Sequence, residues 1–120
     1  MSEMMKAVRL HAFGGPEVLS YEDAPRPAIG SADVLVRVHA ASLNPPDLYL
    51  RDGYRALPLE WRPNPVFPLI IGTDISGVVE AVGDDVTEFA VGDEVFSMVR
   101  FPEDLMKGSN AYAEYVRVTA

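Results

Sequence analysis

Cysteine is absent from all 120 residues, which excludes disulfides, thiolate metal sites and cysteine nucleophiles together. Histidine is nearly absent too, with two residues, and positive charge is scarce: 10 Lys and Arg stand against 18 Asp and Glu, a net charge of −8. That balance repels phosphate backbones and anionic lipid, so nucleic-acid and membrane-surface partners are not expected. Long apolar runs are also missing. Nothing near the Met1-Ser2-Glu3-Met4-Met5-Lys6 start has signal length, and nowhere do about 18 uncharged apolar residues follow one another. A cytoplasmic location is the default expectation. Neither internal repeats nor long amphipathic helical stretches interrupt the pattern.

What is present is an ordinary globular composition, with 48% hydrophobic and 23% charged residues, in a chain of single-domain length. Nine Gly and ten Pro fall between short apolar runs, which favours a mainly β domain. Lys6 to Leu10 and Val18 to Glu22 read as strands of a hairpin around Phe13-Gly14-Gly15-Pro16, where paired glycines permit a reversal. Ala24-Pro25-Arg26-Pro27 reads as an extended connection, because two prolines cannot donate ladder hydrogen bonds. A turn at Gly30-Ser31-Ala32-Asp33 leads into the clearest strand, Asp33 to Ala41, where Val34, Val36 and Val38 form the core face.

Asn44 can cap a short helix whose first turn holds Pro45, Pro46 and Asp47 and whose end is marked by Gly53. Asp47 there suits backbone N–H groups and the helix dipole. Prolines 58, 63, 65 and 68 keep the next segment irregular, with Trp61 and Phe67 as its expected anchors. Leu69 to Val82 reads as strand broken at Gly72 and Gly77, where a bulge, a bend or close backbone approach is expected, Val91 to Phe96 as a turn into strand, and Ala111 to Val118 as the last strand. About six or seven strands suit a small closed or partly open barrel.

Several segments resemble the medium-chain dehydrogenase/reductase family in the right order. They are Lys6-Ala7-Val8, Phe13 to Leu19, Asp33 to Val38, Ala41-Ser42-Leu43-Asn44-Pro45, Gly72 to Val79, Val91 to Val95 and Ala111 to Val116. The subgroup they are most similar to is the zinc-independent quinone oxidoreductases (zeta-crystallin-like) and enoyl reductases. The resemblance implies a GroES-like, partly open β-barrel with short helices, spanning 1–120 and needing a C-terminal segment to complete it. In that family it packs against a Rossmann domain, with NADP in the cleft and the hydride acceptor on the GroES-like side. No Gly-x-Gly-x-x-Gly opens a helix here, so a Rossmann domain or chain is expected as a partner. Gly72, Gly77 and Gly83 are expected to be bends and not a phosphate cradle.

The resemblance also carries the site expectations. Zinc-dependent relatives place a cysteine where this chain has Asn44, and His-Glu where it has Thr73-Asp74, so no metal site and no zinc are expected. His11 and His39 lie far apart and read as surface or edge side chains. Asn44 is both a catalytic and a cofactor-binding candidate, its amide able to donate to substrate or to the nicotinamide ribose; its capping role stays open beside these. Tyr54, following Gly53, matches a tyrosine that enoyl reductases use as a possible proton donor, with Tyr49 as a second catalytic candidate and Thr73 as a second cofactor contact. The expected partner is a small quinone or an α,β-unsaturated carbonyl compound, its exact identity and NADPH against NADH left open. A binding module that kept the barrel and lost catalysis, and a ring-forming co-chaperonin, are the competing readings.

Overall fold

A computed structural model describes residues 3–62, 64–98 and 110–120. Pro63 and the Arg100 to Ser109 loop, expected to lack a metal-binding quartet, lie outside the described residues.

In the first strand, β1 (Met4–Leu10), Met5 and Ala7 turn inward with the period-2 pattern of a half-buried strand, and Leu10 at its end is buried out of that alternation. It pairs antiparallel with β2 (Leu19–Pro25) along its whole length, from Met4 opposite Pro25 to Leu10 opposite Leu19. The expected hairpin is present, but its boundaries differ. Val18 ends a 3-10 turn over Pro16–Val18, and the strand continues through Ala24 to Pro25. Pro25 is tolerated because β2 is an edge strand, where a missing N–H breaks no inner ladder; the next residue, Arg26, donates its N–H to Glu3 O at 2.9 Å.

The Gly30–Asp33 turn forms, with Asp33 Oδ2 accepting from Gly30 N–H at 2.8 Å, and starts β3 (Asp33–Ala41). Val34 and Val36 are buried, while Val38 is only partly covered and Leu35 on the other face is buried as well. The expected Leu69 to Val82 strand is instead two strands in different sheets, β4 (Leu69–Ile70) and β5 (Asp74–Val82). Gly72 lies between them at φ 113, a conformation open to glycine alone at low cost, and it lets the chain leave one sheet for the other. Gly77 faces a bulged part of β3: a Cβ there would lie 2.2 Å from the Arg37 carbonyl oxygen. With β6 (Glu94–Met98) and β7 (Tyr115–Thr119), the sheets read β2-β1-β4 and β6-β5-β3-β7. The architecture is therefore mainly β, two antiparallel sheets in the GroES-like manner, without a closed barrel among the described residues. β6 follows a turn at Val91 to Asp93, as expected, whereas β7 begins later than expected, since Ala111 to Glu114 are bend or single-bridge backbone.

The lead-in to β7 ties the sheets together. Ala113 bridges Ala7, Val8 N–H donates to Tyr112 O at 2.8 Å, and Glu114 N–H donates to Lys6 O at 3.0 Å. Arg26 adds a second tie: it pairs with Glu3, approaches Glu80 of β5 at 3.8 Å, and stacks over Tyr115 at 3.7 Å. Three apolar clusters make the core, one in the four-stranded sheet around Val36, Val79 and Val116, one under the helix around Leu10, Leu50, Leu69 and Ile71, and one around Met5, Ala24 and Ile70. Each buried aliphatic side chain contributes about 1.5–3 kcal/mol of transfer free energy. Tyr112 packs against all three clusters.

The helix α1 (Pro45–Asp52) starts at the expected Asn44 and ends at Gly53, whose φ of 82 lets its N–H reach Leu50 O at 3.0 Å. Leu50 is its fully buried anchor. Of the two expected loop anchors only Phe67 serves, set edge-on to Phe13 with ring centroids 5.0 Å apart. Trp61 is 70% exposed, because the 3-10 turn that carries it, Leu59–Trp61, has no buried residue.

Candidate functional site

Where α1 begins, six polar side chains from four chain segments converge: Ser42, Asn44, Asp47, Thr73, Asp74 and Tyr112. Asn44 supplies the N-cap, with extended backbone at φ −129 and ψ 159. Its side-chain nitrogen lies 2.7 Å from Asp74 Oδ2, 3.1 Å from Thr73 Oγ1 and 3.0 Å from Ser42 Oγ. The orientation of the amide follows from the Asp74 carboxylate oxygen, which accepts and so faces the amide nitrogen. Two N–H protons therefore serve three internal acceptors, and the expected donation from this amide to a substrate requires one of them to be released. Its carbonyl oxygen faces the Asp47 backbone N–H in the capping box and keeps a second lone pair to meet a ligand hydroxyl or amide. Ser42 Oγ also donates to Asp74 Oδ2, at 3.1 Å.

Asp47, at the third helical position, has no solvent exposure although it sits near the surface. Its Oδ2 accepts from the Asn44 backbone N–H at 2.9 Å, the half of a capping box that fixes Asn44. The same oxygen accepts from the Tyr112 phenol at 3.1 Å. Its other oxygen, Oδ1, is buried with no hydrogen-bond partner among the described residues; the backbone N–H of Gly72 favours the charge of the carboxyl. Burial raises the Asp47 pKa above the usual carboxylate range, the bonds from Asn44 and Tyr112 oppose that rise, and the charge of Asp74 adds to it. The structural role expected for Asp47 is thus present, but the helix dipole and capping do not exhaust its contacts.

Tyr112 Oη stands 3.2 Å from the Ser42 carbonyl oxygen as well. Burial, followed by the adjacent Asp47 charge, raises its pKa well above that of a free phenol. Tyr54 holds an uncommon positive φ of 54 immediately after Gly53 and packs partly buried against the Leu50 cluster. Burial first, and then the charges of Asp47 and Tyr49, raise its pKa, so it keeps its proton at neutral pH. Tyr49 is 55% exposed, its ring centroid 6.0 Å from that of Tyr54.

The structure therefore joins Asn44 and Thr73, as the residue pattern suggests, and sets Tyr49 beside Tyr54. Among the described residues neither tyrosine hydrogen-bonds to Asn44 or Thr73. Three members of the cluster, Ser42, Asp74 and Tyr112, carry no role in the sequence reading. Their only signal is that each lies in a segment quoted for the family resemblance. Both histidines are exposed as expected; His11 contacts Glu22 at 2.9 Å. No three His, Cys, Asp or Glu side chains converge to hold a metal ion among the described residues. No helix there is long and apolar enough to cross a membrane.

A hollow of about 280 Å³ opens beside Ser42 and Asp74, floored by Ala40, Ala41, Ile75 and Ser76. A larger one of about 500 Å³ runs along β5 and β6 past His39, Glu94 and Phe96. Among the described residues the hydrogen-bonded side-chain cluster borders the first hollow, through Ser42 and Asp74, and not the second.

Comparison with known proteins places this geometry. A family described as "Alcohol dehydrogenase GroES-like domain" matches residues 30–120. Quinone oxidoreductase from Sus scrofa is 38% identical over 114 residues, 94% of this chain and 31% of the relative, and that from Homo sapiens is 39% identical over the same span. Quinone oxidoreductase from Coxiella burnetii superposes with a TM-score of 0.81 at 37% identity, over 98% of this chain and 35% of that one. An Escherichia coli quinone oxidoreductase solved with NADPH, 24% identical, shares the fold at a TM-score of 0.73, over 95% of this chain and 31% of that one. The chain spans about a third of the length of the relatives it matches.

Proposed function

The chain belongs to the alcohol dehydrogenase GroES-like domain family, on the side of the quinone oxidoreductase-type medium-chain dehydrogenases/reductases, and from that premise we propose that it forms the substrate side of a zinc-free NAD(P)H-dependent reductase. The acceptor is a quinone or an α,β-unsaturated carbonyl compound. The observation that carries this reading is the Asn44–Thr73–Asp74 junction at the start of α1, with the protonated phenol of Tyr54 on the next turn of chain.

The residues fit the groups that the reaction needs. The Asn44 carbonyl oxygen and the Thr73 hydroxyl suit the hydroxyls and carboxamide of a nicotinamide riboside. A nucleotide-binding half, in the part of the relatives' length that these residues do not span, would hold the remainder of the cofactor. When bound, NAD(P)H supplies a hydride to a carbon of the acceptor. Negative charge then develops on the acceptor oxygen and has to be met by a donor already in place. Tyr54 can hold its proton at Oη for that oxygen, and Tyr49, exposed beside it, can shield or replace it. Amide, hydroxyl and carboxylate groups at this corner, with no Cys or His, support chemistry without zinc.

The test is a titration of the isotope-labelled chain with a small benzoquinone, read by NMR. Saturable shifts at Asn44, Thr73, Tyr49 and Tyr54 are expected, with no turnover of added NADPH by these 120 residues alone. Shifts confined to the β5–β6 hollow would move the substrate elsewhere; no saturable shift would favour a module without catalysis.

A further inference from the structure

Asp47 is a buried charged side chain that the proposed reaction leaves unused. It is fully shielded, its Oδ1 is without a hydrogen-bond partner among the described residues, and its Oδ2 is shared between the Asn44 backbone and a phenol from the opposite end of the chain. A buried carboxyl with an unmatched oxygen costs about 1–3 kcal/mol or more in desolvation, a cost that capping alone does not require, since an exposed Asp caps equally well.

We propose that Asp47 and Tyr112 are a positioning pair for Asn44: the carboxyl clamps the Asn44 backbone, and Tyr112 clamps the carboxyl, so the amide keeps its place against Thr73 and Asp74. This rests on the reading of Asn44 as a ligand-facing residue. Three features support it. Asn44 is gripped from both sides, through its backbone by Asp47 and through its side chain by β5. Tyr112 is itself immobilised, because its ring touches all three core clusters and its backbone is tied to β1 and Ile71. Its single O–H proton faces two acceptors, Asp47 Oδ2 at 3.1 Å and Ser42 O at 3.2 Å.

The last feature gives the pair two proton arrangements. With Asp47 ionised, Tyr112 donates to Asp47 and the Ser42 carbonyl is left without that donor. With Asp47 protonated at Oδ2, the acid donates to Tyr112, whose own proton turns to Ser42 O. The groups facing the Asp47 carboxyl are Asp74 of β5, the phenols of Tyr112 and Tyr54, and the N–H groups of Asn44 and Gly72. Switching between the arrangements alters the clamp on Asn44 from the backbone side.

NMR of the labelled chain without substrate or cofactor tests this, so its outcome is separate from that of the quinone titration. In the unsubstituted chain, the Asn44 backbone and side-chain amide signals should titrate together, with a midpoint above the ordinary aspartate value of about 3.9. Asp74→Asn should leave the backbone titration in place. Tyr112→Phe, which removes a donor to the ionised form, should raise the midpoint. Asp47→Asn should abolish it and speed exchange of the Asn44 backbone N–H about tenfold, the factor matching the loss of one hydrogen bond of ~1.4 kcal/mol. If Asp47→Asn does not fold, the unsubstituted chain and Tyr112→Phe decide. Asn44 signals that titrate near the ordinary value, or that ignore Tyr112→Phe, overturn the proposal.

Discussion

The four-stranded sheet and the corner at the start of α1 are held by opposite means. Around Val36, Val79 and Val116 the sheet coheres through apolar contact with no polar partner to satisfy, so its stability is spread over many replaceable interactions. At the corner, Asn44, Asp47, Thr73, Asp74 and Tyr112 meet through single hydrogen bonds between residues up to 65 positions apart. Each of these has one geometry, and each buried polar group left unmatched costs free energy. The sheet is thus suited to be a scaffold, and the corner to hold a ligand-facing amide in one orientation.

The largest expected effect tests the scaffold. Val116→Ala removes two methyl groups from a fully buried position and should destabilise the chain by about 2–3 kcal/mol in denaturant unfolding. The Asn44 amide signals should not move; if they do, sheet and corner are not separate.

Next comes the pH dependence of the corner. Because the folded-state pKa of Asp47 is raised above its ordinary 3.8, the folded chain holds a proton that the unfolded chain has lost. Stability from this residue is therefore fully present below the unfolded value and falls as pH rises through the folded one. Asp47→Asn should flatten that decline in urea midpoints measured across the mildly acidic range, and a decline of unchanged slope would assign it to other carboxylates. Tyr112→Phe should cost about 1 kcal/mol by losing one hydrogen bond while keeping the ring's contacts. A loss near that of Val116→Ala would mean that the ring position, and not the phenol, matters. Smallest of all, Trp61→Ala should lie within about 0.5 kcal/mol, as at surface sites generally; a larger loss would show that the exposed turn is anchored after all.

The same contrast explains what the sequence reveals. Alternation of Val34 and Val36, the Gly14-Gly15 reversal, and the Asn44-Pro45-Pro46 start and Gly53 end of α1 are local signals, and each element is present, with only the second strand of the hairpin shifted to Leu19–Pro25. The split of Leu69 to Val82 between two sheets is not local. A positive φ at Gly72 reads the same as a bulge until the partner strands are known. Pro25 fits a strand only because β2 is an edge, which depends on pairing elsewhere. Tyr112 illustrates the limit best: nothing within ten residues of it tells that its phenol reaches Asp47, since that contact exists only once β1, β5 and α1 are assembled. Asn44 and Thr73 are legible as a pair through family resemblance, whereas the engagement of the Asn44 donors by Asp74 and Ser42 is a property of the folded corner.

The most direct test of the proposed role joins this chain to the nucleotide-binding half of a quinone oxidoreductase and follows NADPH-dependent reduction of a benzoquinone. Asn44→Ala should lower kcat/KM by about tenfold or more, a loss of at least ~1.4 kcal/mol in transition-state stabilisation, with a much smaller effect on the melting temperature. Unchanged turnover with a lowered melting temperature would contradict the account and leave Asn44 as a helix cap.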